Sequence, residues 1–142
     1  MGIQLLLFIL FLFRVPSIDC SIYRSMQYAG LVAAIVGLVI IIAALVSLNK
    51  NISPFPSPRH QAVLITNGVF KFLRHPIYTG ILMTISGLGL YTENTLRLLI
   101  FLLLLLLFIF KAQYEETLLV NKFPSYADYK KRAGMFLPKF YK

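Results

Sequence analysis

Long apolar runs, separated by short polar segments, make up most of this chain and predict its elements. A run at residues 28–48 carries no charge, and it is long enough to cross the ~30 Å hydrocarbon layer of a bilayer. The run at 3–18 is interrupted by Arg14 and Pro16 and is marginal for a span. Two further runs lie at residues 77–91 and 98–110, and the last can extend through Ala112 and Tyr114.

These four runs predict an all-α integral membrane protein with about four transmembrane helices. A spanning segment must pair its own backbone polar groups, and no run shows the alternation of a barrel strand. Composition agrees, since the 142 residues are 58% hydrophobic and 13% charged, with a mean hydropathy of +0.78. A soluble chain of this length would lack the polar residues needed to cover its surface. The length predicts a single domain.

The positive charges predict the orientation of the chain in a lipid bilayer. The net charge is +9, but the Lys and Arg residues lie between the apolar runs and in the tail after Lys111. That placement suits the positive-inside rule and anionic headgroups, and it argues against a nucleic-acid partner. The basic regions 49–74 and 122–142 are therefore expected in the cytoplasm, with both termini inside. We expect a multi-pass protein of the bacterial inner membrane.

The third and fourth runs are expected to form a tightly packed antiparallel hairpin. Glu93 and Asn94 separate them and predict a tight turn. The third run also carries small residues, which let neighbouring helices approach closely. These residues are Gly80, Thr84, Ser86, Gly87 and Gly89.

The cysteine and histidine content predicts neither a disulfide nor a metal site. Cys20 is the only cysteine, so it has no partner within the chain. His60 and His75 are the only histidines and do not make a convincing metal site. The N-terminus lacks a basic n-region, so we expect the first run to be a retained span and not a removed signal.

The segment LITNGVFKFLRHPIYTG, residues 64–80, leads into the third run. Residues 64–68 predict a short strand-like piece that ends at Gly68, which is able to adopt a positive φ. Residues 69–73 predict a helical turn, and Pro76 suits the first turn of the third helix. Arg74 and His75 would then lie at a positively polarised helix start, a place suited to anions.

Glu115 and Glu116 form the only adjacent acid pair in a chain with five acids. They follow the fourth run, where the helix dipole disfavours negative charge, so a partner is expected. The hairpin brings them to the side of Arg74 and His75, and such a pocket suits a zwitterionic cofactor. Two structural alternatives remain: Arg74 could simply pair with Glu115 or Glu116, and Tyr126 and Tyr129 could be interfacial aromatics. No P-loop, dinucleotide fingerprint or Ser–His–acid set is apparent.

Taken in order, LITNGVFKFLRHPIYTG, the acid pair and FPSYADYKKR (residues 123–132) resemble the integral-membrane methyltransferases related to isoprenylcysteine carboxyl methyltransferase. These share a distant pattern with phospholipid N-methyltransferases. The resemblance covers about residues 49–138, including the lead-in NISPFPSP. It implies that S-adenosylmethionine binds from the cytosol in a pocket completed by a helical C-terminal segment. Residues 1–48 would then supply two N-terminal spans, and residues 49–142 would form the cofactor-binding core.

The resemblance also implies roles for individual residues. Cofactor-binding positions are Leu64, Ile65, Gly68, Phe70, His75, Pro76, Ile77, Tyr78 and Glu115. Arg74, Glu116 and Lys111 are the expected catalytic residues. Two of these depart from the family pattern: Phe70 replaces a Tyr, and Lys111 stands where prenylcysteine enzymes carry an Arg linked to the substrate. Lys lacks the bidentate fork with which Arg binds a carboxylate.

The expected reaction is methyl transfer to a lipophilic or small acceptor at the cytosolic membrane face. A carboxylate, a thiol and an amine all remain open as the acceptor group, and the oligomeric state is not predicted. Two alternatives also remain open. A membrane lipid reductase of the sterol type, using NADPH, shares an R-H-x-x-Y element, and a non-catalytic assembly subunit would use the same motifs only to hold its fold.

Overall fold

The described residues of the computed structural model are 2–12, 23–48 and 64–139, and they are helical without a β-strand. The all-helical prediction is confirmed for these residues. Arg14, Cys20 and the segment 49–63, which includes His60, lie outside them. The helices are α1 (Gly2–Leu12), α2 (Arg24–Leu48), α3 (Pro76–Tyr91), α4 (Thr95–Lys122) and α5 (Tyr126–Arg132), with a 3₁₀ turn at Gly68–Lys71.

Two of these helices, α2 and α4, are long and apolar enough to cross a membrane. Only 17% and 22% of their most apolar windows are buried, whereas the core helix of a soluble protein would be mostly covered. The helices α1 and α3 have 11 and 16 residues, and 16 residues rise about 24 Å. The expected four spans are therefore supported for two helices.

The chain divides into two compact units. The first contains residues 1–38 and 80–108, and the second contains residues 39–79 and 109–142. In the first unit, α2 and α3 meet at glycines: a Cβ on Gly87 would lie 2.3 Å from the carbonyl oxygen of Gly30. A Cβ on Gly37 would likewise lie 2.6 Å from the carbonyl oxygen of Gly80. The expectation of close helix approach at small residues is confirmed here.

The turn between α3 and α4, also in the first unit, has the expected position. Glu93 adopts φ 52°, and the Gln27 side chain donates a hydrogen bond to its carboxylate. Asn94 caps α4, because its Oδ1 accepts a hydrogen bond from the Arg97 N–H at 3.1 Å. A Cβ on Gly89 would contact Leu98 on the other side of the turn. The predicted hairpin is therefore confirmed.

In the second unit, the expected strand-like piece at residues 64–68 does not form. Residues 64–67 have no regular structure, and Gly68, with φ 57°, begins the 3₁₀ turn. The prediction of a positive φ at Gly68 was correct, but the strand prediction was wrong. Backbone pairing occurs instead beyond the turn, as an isolated parallel bridge between Leu73 and Gly134. Among the described residues no strand lies beside this short segment, so its backbone has no strand to pair with.

Candidate functional site

The backbone ahead of α3 is held by the C-terminal segment, and this fixes Arg74 and His75. The Arg74 N–H donates to the Gly134 carbonyl at 2.8 Å, and the His75 N–H donates to the Met135 carbonyl at 3.2 Å. Gly134 in turn donates its N–H to the carbonyl of Phe72 at 3.0 Å. Pro76 is the first residue of α3, as expected, where its missing N–H leaves no helical bond unmade.

A buried stripe along α4 brings an acid to the same place. Residues at every fourth position are buried, which corresponds to one face of a helix. These residues are Ile100, Leu104, Phe108, Ala112 and Glu116. Four of the five are apolar, and Glu116 continues the stripe with a side chain only 2% exposed. The helix continues for six residues past Glu116, to Lys122, so the acid pair lies within the helix and before its end.

The Glu116 carboxylate is surrounded by three nitrogen-bearing side chains. Its Oε1 lies 2.9 Å from Arg74 Nε and 3.3 Å from His75 Nε2, and its Oε2 lies 2.8 Å from Lys130 Nζ. The Arg74 side chain is itself 6% exposed, and its Nη1 donates to the Lys130 carbonyl at 3.0 Å. Arg74 therefore pairs with Glu116, and each oxygen of this carboxylate lies within ion-pair distance of a basic side chain.

Glu115 belongs to a different group of side chains, formed with His75, Tyr78 and Lys111. Its Oε1 accepts a hydrogen bond from the Tyr78 hydroxyl at 2.6 Å, and its Oε2 lies 3.6 Å from His75 Nδ1. The rings of His75 and Tyr78 stack with 5.5 Å between centroids, and Lys111 Nζ lies 5.2 Å from the Tyr78 ring centroid. His75 thus stands between the two acids, with one ring nitrogen facing each.

Tyr126 and Tyr129 are buried, so they are not interfacial aromatics exposed to headgroups. They pack with Ala133 into a small core to which Leu64, Leu119 and Phe123 also contribute. The Tyr129 hydroxyl donates to the Phe70 carbonyl at 2.6 Å, which fixes the 3₁₀ turn. The Tyr126 hydroxyl is buried and has no hydrogen-bond partner among the described residues.

The environment of the two tyrosines keeps both hydroxyls protonated. Burial raises the pKa of Tyr129 to about 12; the Arg74 guanidinium acts in the opposite direction, and the Glu116 carboxylate adds to the rise. Burial also raises the pKa of Tyr126, again with a contribution from Glu116 and opposition from Arg74. Both tyrosines are therefore hydrogen-bond donors at neutral pH.

Six of the residues expected at the site meet around the start of α3. They are Arg74, His75, Tyr78, Lys111, Glu115 and Glu116. Pro76 and Ile77 form the adjoining first turn of α3. Three others lie on the preceding loop: Leu64 packs against the tyrosine core, Gly68 lies against Ser47, and Phe70 binds Tyr129 through its carbonyl. Ile65 is half-buried on the same loop.

Sequence reasoning did not assign a role in the site to Lys130, although the pattern Y-x-x-Y-K contained the signal. Residues three and four apart lie on one face of a helix, so Lys130 shares the face of α5 that buries Tyr126. Thr79 was also missed: its hydroxyl donates to the carbonyls of His75 at 3.2 Å and Phe136 at 3.1 Å. Such contacts depend on the path of the C-terminal segment, which no local pattern reveals.

A cavity of about 460 Å³ lies beside this cluster, within the size range of ligand sites. Its lining combines two amides, a hydroxyl, an ion pair and two apolar side chains. These belong to Gln113, Glu116, Thr117, Val120, Asn121, Lys130 and Met135. Glu116 is therefore both a member of the buried cluster and part of the cavity wall. Among the described residues, no group of three or more His, Cys, Asp or Glu is arranged to hold a metal ion.

Comparison with known proteins places these elements in a family. Residues 23–125, which include the start of α3 and the acid pair, match the phospholipid methyltransferase family. The chain belongs to this phospholipid methyltransferase family. Membership implies a methyl donor. The matched region ends within FPSYADYKKR, just before α5.

The relatives of this chain include metal-resistance proteins and probable methyltransferases. The chain is 34% identical over 84 residues to the nickel-cobalt-cadmium resistance protein NccN of Alcaligenes xylosoxydans xylosoxydans, covering 58% of this chain and 39% of that protein. It is 33% identical over 120 residues to a probable protein-S-isoprenylcysteine O-methyltransferase of Oryza sativa subsp. japonica, covering 82% of this chain and 63% of that protein. The chain thus spans less than two thirds of the length of either relative.

Proposed function

We propose that this protein transfers a methyl group from S-adenosylmethionine to a lipophilic or small acceptor at the cytosolic face of a membrane. The observation that carries the proposal is the buried junction of Arg74 and His75 with Glu115 and Glu116, which lie some forty residues later. Buried charges are costly unless they are paired, and clusters of this kind concentrate at functional sites. Family membership supports methyl transfer over a lipid reductase or an assembly subunit.

The residues present fit the chemistry of the proposed donor. S-adenosylmethionine carries an ammonium, a carboxylate, a sulfonium and a flat purine. The Glu115 carboxylate suits the cationic groups, and Lys111 suits the carboxylate. The rings of His75, Tyr78 and Phe136 offer faces for the purine and the sulfonium. The buried hydroxyl of Tyr126, which has no hydrogen-bond partner among residues 2–12, 23–48 and 64–139, is a further donor available to a ligand or to water.

Roles for the other residues follow the family resemblance. In the proposal, the loop before α3 and the first turn of α3 hold the donor, together with Glu115. The residues are Leu64, Ile65, Gly68, Phe70, His75, Pro76, Ile77, Tyr78 and Glu115. Arg74, Glu116 and Lys111 support the reaction: Arg74 pairs with Glu116, which contacts His75, and Lys111 lies over the Tyr78 ring.

The proposed reaction requires the acceptor to be aligned with the methyl group and water to be excluded, more than it requires an acid or a base. When bound, S-adenosylmethionine supplies a methyl group already activated by a positive sulfur. The task of the protein is to align the acceptor with that group and to exclude water. His75 and Glu116 are buried, and the backbone bonds to residues 134 and 135 hold this end of α3 in place. An anionic acceptor would lose its charge during transfer, which a dry site favours.

The charge distribution supports a cytosolic position for this site. Exposed basic residues accompany the cluster on the 3₁₀ turn, on α5 and after it, as the positive-inside rule requires. They are Lys71, Lys130, Lys131, Arg132 and Lys139. We propose four spans with both termini in the cytoplasm of a bacterial cell, so that lipophilic acceptors enter from the bilayer and the polar donor enters from the cytosol.

Labelled methyl transfer tests the proposal. Purified protein is supplied with methyl-labelled S-adenosylmethionine and a membrane extract, and the labelled product is identified. The wild type should label an acceptor, whereas His75→Ala and Glu115→Gln should label little or none. Asp128→Asn, which changes an exposed acid on α5, should match the wild type. A folded wild type that labels nothing and does not bind S-adenosylhomocysteine would contradict the proposal, and NADPH binding would favour the reductase.

A further inference from the structure

Lys130 contacts both members of the buried Arg74–Glu116 ion pair. Its Nζ lies 2.8 Å from Glu116 Oε2, and its carbonyl accepts a hydrogen bond from Arg74 Nη1 at 3.0 Å. The side chain of Lys130 is 49% exposed, but the carboxylate it reaches is only 2% exposed. The residue therefore lies at the surface while its ammonium reaches into the cluster.

The position of the Lys130 ammonium decides how the Glu116 carboxylate is oriented. Arg74 and His75 both approach Oε1, whereas Lys130 is the partner of Oε2. Without this ammonium, Oε2 would be a buried oxygen with no other cation from the described residues beside it, which is costly. The terminal torsion of a Glu side chain is broad, so the carboxylate would then turn to share Arg74 between its two oxygens. His75 would then lose the nearer of its two acidic partners and keep only Glu115.

We propose that Lys130 is a positioning residue for methyl transfer, which acts through Glu116 to hold His75 in place. The inference rests on the proposed function, because it concerns the orientation of a residue expected to bind the donor. Among the described residues, the Lys130 ammonium pairs with Glu116 and is not paired with Glu115. If Lys130 acts by positioning, its effect on donor binding passes through Glu116 and vanishes when Glu116 cannot be an anion, whereas a direct contact with a ligand from the wall of the cavity would survive that change.

The neighbouring residue on α5 provides a matched control. Lys131 is 77% exposed, and its Nζ pairs at 2.9 Å with the exposed acid Asp128. Lys130→Met and Lys131→Met remove the same charge from the same short helix. Electrostatic attraction to the membrane or to an anionic ligand would be weakened equally in both variants. A difference between them isolates the contact with Glu116.

The test measures S-adenosylhomocysteine binding by calorimetry and thermal unfolding on the same samples. We expect Lys130→Met to weaken binding about tenfold, the size of effect seen for coupled neighbours in a charge network. Lys131→Met should bind as the wild type does. Lys130→Arg should recover most of the affinity, because a guanidinium also reaches and pairs with the carboxylate. In steady state, Lys130→Met should raise KM for the donor more than it lowers kcat.

A double-mutant cycle separates positioning from general stabilisation. In a Glu116→Gln background, Lys130→Met should cause no further loss of affinity, because the interaction is already absent. Additive losses, equal effects of Lys130→Met and Lys131→Met, or wild-type affinity in folded Lys130→Met would each overturn the inference. If Lys130→Met does not fold, Lys130→Gln is measured instead and must also bind more weakly than Lys131→Met. Failure of the wild type itself to bind would overturn the proposed function, whereas the other results overturn only the role of Lys130.

Discussion

The two ends of α3 are held by opposite kinds of contact. Its C-terminal part, in the first unit, meets α2 through Gly87 and Gly30 at a distance that excludes any side chain. Its N-terminal end, in the second unit, is preceded by Arg74 and His75, which both lie within 3.3 Å of the buried Glu116 carboxylate. Close packing at glycines is a common way for helices to associate in a membrane. A buried ion pair is a less favourable way to hold helices together, because the desolvation of its charges offsets much of their attraction. This difference is why we propose the N-terminal end of α3 as the functional end.

Removing the Glu116 carboxylate should have the largest effect on stability. Glu116→Ala leaves the Arg74 guanidinium buried without its partner, and breaking a buried ion pair in this way costs about 3–5 kcal/mol. The free energy of unfolding in detergent measures the loss. Asp128→Ala, which removes an exposed acid, should leave the free energy of unfolding close to that of the wild type. Equal effects of the two variants would show that the buried pair does not stabilise the second unit.

Gly87→Ala should have the next largest effect on the free energy of unfolding, and it should act only through the packing of α3 against α2. A Cβ there would meet the backbone of Gly30 and Ala34, which cannot move aside as a side chain does. Overpacking of this kind costs about 1–3 kcal/mol, and Gly87→Ala should be near the upper end. Gly2→Ala, where nothing lies within 4 Å, is the control. If the contrast between the ends holds, the folded fraction of Gly87→Ala keeps wild-type affinity for S-adenosylhomocysteine.

Removing the hydrogen bond that Tyr129 donates should lower the free energy of unfolding by a smaller amount, and the loss should depend on pH. Folding raises the pKa of Tyr129 from 10 to about 12, so its contribution is complete below pH 10 and is lost as the pH rises from 10 to about 12. Tyr129→Phe should cost about 1 kcal/mol at neutral pH and show a shallower decline in that range. Thermal midpoints against pH measure both. Tyr91→Phe, at an exposed tyrosine, should follow the wild-type profile, and an unchanged slope in Tyr129→Phe would contradict the assignment.

The sequence predicted local elements better than it predicted partners. Pro76 and the pair Glu93-Asn94 correctly marked the helix start and the turn, because capping and proline chemistry depend on neighbours in the chain. The meeting of Arg74 with the acid pair also followed from the hairpin alone. The choice of Glu116 over Glu115 as its partner did not follow. It depends on the four-residue stripe of α4 and on where α5 presents Lys130.

The strand-like piece at residues 64–68 failed for a related reason. A short apolar run becomes a strand only when another strand lies beside it, and local sequence does not show whether one does. Here this region packs against the tyrosine core through Leu64, and the backbone pairing begins at Leu73.

The number of spans was also only partly predicted. Of the four predicted runs, α2 and α4 are long enough to be candidate spans, whereas α1 and α3 are shorter apolar helices.

The most direct measurement compares S-adenosylhomocysteine binding by the wild type and Glu115→Gln, with unfolding recorded on the same samples. A Gln at position 115 still offers an oxygen to the Tyr78 hydroxyl, so unfolding should shift by less than about 1 kcal/mol. The lost negative charge should weaken binding at least about tenfold, because hydrogen bonds to charged groups contribute more than neutral ones. That result is predicted if the N-terminal end of α3 holds the methyl donor. Wild-type affinity in Glu115→Gln would contradict it.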